Sequence, residues 1–129
     1  MPEEPSLLAT LAGETLAAVV FVTDYVQLDF SGPRLSLYVW PVVARDGRRY
    51  AYGDAGYRDA LCGLLLRPVT GAADSAAEGL VLRFGADAVV VRPRARELTG
   101  AEIAMLQTND AAGRWEVWRP GEGSFAELA

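Results

Sequence analysis

Tyr25-Val26-Gln27-Leu28-Asp29-Phe30-Ser31-Gly32-Pro33-Arg34-Leu35-Ser36-Leu37-Tyr38-Val39-Trp40 is the stretch that decides the fold. Apolar and polar side chains alternate on both sides of Ser31-Gly32-Pro33-Arg34. Residues 25–30 and 35–40 therefore read as two antiparallel strands joined by a turn. Pairing across that loop sets Phe30 opposite Leu35, Leu28 opposite Leu37 and Val26 opposite Val39, and this face is core. The other face pairs Tyr25 with Trp40, Gln27 with Tyr38 and Asp29 with Ser36. Tyr25, Gln27, Tyr38 and Trp40 make it aromatic and polar instead of charged, as binding and subunit surfaces are, and they are the candidate binding residues. The ordinary alternative is that the face is covered, either by a C-terminal helix or by residues 50–52.

Working outward, the pattern returns. Val26, Leu28 and Phe30 recur 54 residues later as Leu80, Leu82 and Phe84. Leu37, Val39 and Pro41 recur 52 residues later as Val89, Val91 and Pro93. Upstream, Leu11-x-Gly13-x-x-Leu16-x-x-Val19 recurs 50 residues later as Leu61-x-Gly63-x-x-Leu66-x-x-Val69. Three landmarks in one order predict two pseudo-symmetric repeats, about 6–41 and 54–93, each a short helix followed by a three-stranded meander. In the first, Ser6 caps a helix over 7–12, Gly13 takes the left-handed C-terminal position, and the strands are 17–22, 25–30 and 35–40. In the second, a helix over 54–62, with Asp54 as its cap, ends at Gly63, and the strands are about 64–71, 80–84 and 88–92.

Two segments fall outside these repeats. Asp46-Gly47 can close a small hairpin within 45–53. Thr99-x-x-Glu102 is a capping box ahead of Ile103, Met105 and Leu106, so a short helix is expected there, followed by a strand over 114–118. From Pro120 the acidic, Gly-rich chain has little to bury and reads as a flexible tail over 120–129. The expected architecture is α+β and mostly antiparallel β. The two repeats pack as a sandwich or half-barrel, with a C-terminal helix and strand, in one domain over 1–119.

Composition fits one core. The chain has 129 residues, 51% apolar and 22% charged, which is the make-up of a globular domain. All twelve basic residues are arginine, and with 17 acidic residues the net charge is −5. That balance disfavours nucleic-acid binding, whose affinity comes mainly from phosphate neutralisation. A single cysteine excludes an internal disulfide. The apolar stretch 7–22 follows Glu3 and Glu4 and contains Glu14, so it reads as neither a signal peptide nor a membrane span, and a cytoplasmic location is expected.

Three words of the chain, at residues 21–30, 56–63 and 113–118, resemble those of an uncharacterised family of small actinobacterial domains of unknown function. They read Phe21-Val-Thr-Asp-Tyr-Val-Gln-Leu-Asp-Phe30, Gly56-Tyr-Arg-Asp-Ala-Leu-Cys-Gly63 and Gly113-Arg-Trp-Glu-Val-Trp118. The resemblance spans about 11–118 and implies a fold and a bacterial origin. It carries over no activity and no catalytic residue.

The chemistry available is narrow. The chain has no histidine and no lysine, which removes the usual general base, the commonest zinc ligand and the Schiff-base nucleophile. Cys62 has no imidazole partner and reads as a buried hydrophobe. Asp24, Asp29, Asp54 and Asp59 remain as carboxylates for a small acid–base enzyme or ligand-binding protein with a cleft between the repeats. Each also has an ordinary reading as turn, cap or solvated face. The clusters Arg45, Arg48, Arg49 and Arg92, Arg94, Arg96 read as solvated loops, with Tyr50 and Tyr52 beside the first. No metal site or cofactor is expected, since no ligand spacing or phosphate-binding loop occurs. The function expected is a non-enzymatic, accessory or immunity-like module that binds a protein partner or its own copy.

Overall fold

Alternation does what the hairpin stretch requires. Val26, Leu28, Leu35 and Leu37 are fully buried, while Gln27, Asp29 and Arg34 between them are half-exposed. A computed structural model of the chain describes residues 7–98, 100–120 and 125. Ten strands occur in it: β1 (Ala18–Phe21), β2 (Val26–Asp29), β3 (Arg34–Leu37), β4 (Val42–Arg45), β5 (Arg48–Tyr50), β6 (Gly71–Ser75), β7 (Gly79–Phe84), β8 (Asp87–Val91), β9 (Ala104–Gln107) and β10 (Trp115–Trp118). A 3-10 turn spans Leu7–Leu11, a helix α1 spans Tyr57–Cys62, and a second 3-10 turn spans Ala95–Glu97.

The strands form two five-stranded sheets, ordered β1-β2-β3-β9-β10 and β5-β4-β8-β7-β6, and every pairing is antiparallel. Each sheet is thus a three-stranded meander with a hairpin alongside. The hairpin β4–β5 follows the first meander in sequence but pairs with β8. The hairpin β9–β10 follows the second but pairs with β3. Pro41 and Pro93 sit, buried, where the chain crosses between sheets. Inward residues of both sheets belong to one buried cluster, which includes Leu28, Phe30, Val43, Leu82, Phe84, Val89, Leu106 and Trp118. The Trp118 indole N–H donates to Asp74 at 3.0 Å, tying β10 to β6.

Several expectations need correcting. Residues 104–107 are strand, not helix, and Thr99 of the expected capping box lies outside the described residues. Leu106 and Ala104 turn inward opposite Leu35 and Leu37, so pairing to a distant strand outweighs the local helix signal. Residues 63–66 are turn, and the first strand of the second meander is the Ala-rich segment Gly71–Ser75. The first hairpin pairs two residues away from the expected register: Leu28 faces Leu35 and Val26 faces Leu37. Its loop tightens onto Ser31-Gly32, where the Phe30 N–H reaches the Pro33 carbonyl at 2.8 Å and Asp29 accepts the Ser31 N–H at 3.1 Å.

Asp54 does not cap α1. It accepts the Ala51 N–H, and left-handed Gly56 precedes the helix. Gly63 has an ordinary helical φ of −67° and is glycine for room, because a Cβ there would strike the Arg45 guanidinium. Cys62 is half-buried, not buried. In the expected tail, Phe125 is part of the core cluster, and the rest from 121 onward lies outside the described residues. Ser6 lies outside them as well.

The two Leu-x-Gly words do not superpose. Leu16 is fully buried while Leu66 is 81% exposed and left-handed, with φ 68°. The chain around Leu66 pairs instead with the first word itself: Thr15 bridges Pro68, and the Leu66 N–H reaches the Leu16 carbonyl at 2.8 Å. A non-glycine side chain in that region costs about 1–2 kcal/mol, and here it contributes no packing. Leu66→Gly should therefore raise stability by about 0.5–1 kcal/mol in a denaturant titration, the lower unfolded-state order of glycine offsetting part of the relief. A loss of stability would show that Leu66 packs.

Asp87 holds the far end of the second sheet. It accepts from the Arg67 guanidinium at 2.6 Å and from the Asp46 N–H at 3.1 Å, and these bonds, Arg67 first, pull its carboxyl below the ordinary value of 3.8. The folded state thus binds this proton less readily than the unfolded chain. The stabilisation is complete above pH about 4 and is lost as pH falls through the depressed folded value. Asp87→Ala should cost about 1–3 kcal/mol at neutral pH and flatten the acid limb of the stability profile below pH 4. An unchanged acid limb would place the acid sensitivity elsewhere.

Candidate functional site

The outer face of the first sheet is built by the residues that the alternation turns away from the core. Register places Val20, Gln27, Ser36, Met105 and Val117 side by side across all five strands. The next row is Ala18, Asp29, Arg34, Gln107 and Trp115. Five strands at the usual spacing make a surface about 19 Å across. The only charges in these two rows, Asp29 and Arg34, are paired with each other at 3.2 Å. The surface is neutral, and its margins carry exposed apolar side chains: Val20 at 39% and Trp115 at 64%.

Gln27 and Ser36 engage each other on the face, while the buried Arg34 Nε has no hydrogen-bond partner among the described residues. The Gln27 amide donates to the Ser36 hydroxyl at 3.1 Å, and Ser36 is only 2% exposed beneath its neighbours. The Tyr25 and Tyr38 rings lie 5.4 Å apart, tilted by 50°. Burial, opposed by a hydrogen bond with Ser36, raises the pKa of the Tyr38 phenol, so its hydroxyl stays protonated throughout the physiological range. Glu102 and Tyr25 add to the same effect. The arrangement suits neutral hydrogen bonding and ring contact.

Of the four residues expected on this surface, three meet: Tyr25, Gln27 and Tyr38. Trp40 does not. The two-residue change of register puts Tyr25 beside Tyr38, and Trp40 falls in the crossing to β4, where it stacks on Tyr52 at 4.3 Å and 19°. Tyr52 in turn meets Tyr57 edge-on at 5.9 Å, and the Tyr57 hydroxyl donates to the Pro41 carbonyl at 2.6 Å. Trp40 and Tyr52 line a separate open cleft with Val39, Val42, Ala51 and Glu97. The segment expected to cover the face as a helix instead widens it as β9, with the expected strand β10 beside it, adding Met105, Gln107, Trp115 and Val117. Alternation in Trp115-Glu116-Val117-Trp118 was the available signal for two of these. The place of β9 beside β3 had none.

The carboxylates of the alternative reading serve separate local roles. Asp24 sits in the exposed turn between β1 and β2, Asp29 pairs with Arg34, Asp54 closes a turn, and Asp59 lies exposed on α1. Among the described residues no group of three His, Cys, Asp or Glu side chains is placed to hold a metal ion. In the first basic cluster, Arg48 lies 5.7 Å over the Tyr50 ring and Arg45 packs over Gly63, so Tyr50 and Tyr52 are both in intramolecular contact. Among the described residues no helix is long and apolar enough to cross a membrane. No family model matches the chain, and neither a curated protein nor a solved structure matches it.

Proposed function

We propose that this protein is a non-enzymatic interaction module that binds a protein partner through the outer face of its first sheet, in an accessory role. The observation that carries this reading is the neutral row Val20, Gln27, Ser36, Met105 and Val117, bordered by Tyr25, Tyr38 and a largely exposed Trp115. Interface cores lose charged residues and gain aromatic ones and methionine, and this face has that make-up. Its rings are held by a sheet, so little side-chain order remains to be lost on binding.

The scaffold is a duplication whose halves exchange hairpins. Supporting this, Val26 pairs with Leu37 and Leu28 with Leu35, and 54 residues later Leu80 pairs with Val91 and Leu82 with Val89. The spacing is constant through both strands and the turn between them. The exchange makes each sheet depend on both halves, so the binding face is one rigid unit drawn from residues 18–38 and 104–118.

The test is comparative affinity capture from the source bacterium with wild type, Tyr38→Ala and Trp115→Ala, and with Arg49→Ala as a control away from the face. A protein retained by wild type and control but lost from both face variants is the expected result. Identical captures from all four would overturn the reading.

A further inference from the structure

The geometry points to a second association surface: the free edge of β1 pairs with the same edge of a second copy, joining two first sheets into one ten-stranded sheet. This does not depend on the outer face binding anything.

The edge is open in hydrogen-bond terms. Val22 and Tyr25 exchange backbone bonds at 2.8 and 3.4 Å around the Thr23-Asp24 turn. Antiparallel alternation then directs the N–H and C=O groups of Val20 and Ala18 toward β2, and those of Val19 and Phe21 away from it. Among the described residues, the only backbone segment bonded on that side, residues 66–69, stops at Leu16, because left-handed Leu66 turns the chain away. The corresponding edge strand of the second sheet, β6, has the Leu7–Leu11 turn packed against it, whereas α1 packs against β4.

Exposed edges are ordinarily defended by charge. The other three edges are charged or covered: β5 carries Arg48 and Arg49, β6 has the Leu7–Leu11 turn against it and its Asp74 held by Trp118, and on β10 Glu116 accepts the Leu7 N–H at 3.1 Å. Strand β1, Ala-Val-Val-Phe, carries no charge of its own, the Arg58 guanidinium of α1 lying 5.9 Å over the Phe21 ring. Of the large apolar side chains exposed among the described residues, Val20, Phe21 and Leu66 all lie along this edge. The strained Leu66 thereby acquires a use that its own fold does not supply.

The occupant is set by the edge itself. It must be uncharged, extended, and present two outward residues spaced two apart in antiparallel sense, and residues 17–22 of a second copy meet all of these. The register follows: a two-fold axis at Val20 pairs Val19 of each copy with Phe21 of the other, satisfying all the outward groups of both residues. Val20 then faces its own counterpart on the outer face in a non-hydrogen-bonded pair, with Cα atoms about 4.5 Å apart.

Three variants test this by light scattering over a concentration series reaching the millimolar range. Wild type is expected to dimerise. Val20→Lys, which places like charges together on an exposed site, should weaken the dimer about tenfold or more while the dilute monomer melts as before. Leu66→Gly should weaken the dimer while stabilising the monomer, a pair of effects that a structural role for Leu66 would not produce. Val20→Cys in a Cys62→Ser background should oxidise to a linked dimer, since the spacing lies within the span a disulfide bridges, whereas Trp115→Cys should not. A wild type that stays monomeric throughout the series overturns the proposal, as does a dimer indifferent to Val20→Lys. A dimer broken by Tyr38→Ala and not by Val20→Lys would place self-association on the outer face instead.

Discussion

Phe30→Ala and Phe84→Ala are each expected to lower the free energy of unfolding by about 3–5 kcal/mol, with similar costs for the two. Phe30 is 2% exposed and Phe84 1%, and both lie in the one cluster that the two sheets share. Each is the last inward residue before a tight turn, Ser31-Gly32 in one case and Gly85-Ala86 in the other. The turns are held by main-chain groups, the Phe30 N–H to Pro33 and the Phe84 carbonyl accepting from Arg67 at 2.6 Å, and alanine preserves both. The loss is therefore one of ring burial plus the cavity left behind, and the slope of a urea titration should not change. A cost near 1 kcal/mol for either ring, or a large difference between them, would remove the equivalence on which the proposed duplication rests.

Tyr38→Ala is expected to weaken binding of the partner by about 2 kcal/mol, roughly thirtyfold, while leaving folding nearly intact. Tyr38 stands at the centre of the polar cluster, between Tyr25 and the Gln27–Ser36 bond, so its loss removes a ring contact and uncovers Ser36. Its side chain points away from Val26, Leu28 and Leu37, so the core is untouched. Tyr38→Phe separates the contributions: it keeps the ring and should retain most of the affinity if area dominates. A titration by calorimetry with the captured partner gives both numbers. Binding unchanged in Tyr38→Ala would move the interface off this face, and an unfolded Tyr38→Ala would make the face a second core layer.

The alternating stretch revealed the two faces of the first hairpin even though its register moved by two residues. A slip of two preserves which side chains point where, whereas a slip of one would have reversed them. The same slip explains why Tyr25, Gln27 and Tyr38 were legible as neighbours while Trp40 was not, since the shifted register carries Trp40 past the end of β2, level with the Thr23-Asp24 turn. Both meanders were legible because Val26-x-Leu28-x-Phe30 and Leu80-x-Leu82-x-Phe84 carry a period of two. The two hairpins were placed outside the repeats because their partners, β8 for β4 and β3 for β9, are set by contacts across the chain. Local pattern holds no trace of those pairings. Residues 99–106 mislead for the same reason: a capping signature is a statement about a few neighbours, and the pairing of Leu106 with Leu35 outweighs it. Leu66 was placed in a strand because spacing alone cannot see that its backbone turns left-handed.

Hydroxyl-radical footprinting of the protein with and without its captured partner tests the central claim most directly, because tyrosine, methionine and tryptophan side chains report their own exposure. The account predicts that oxidation of Tyr38, Met105 and Trp115 falls several-fold in the complex, while Tyr52, stacked on Trp40 in the separate cleft, is oxidised as in the free protein. Protection confined to Tyr52 and Trp40, with the outer face of the first sheet as reactive as before, would contradict it.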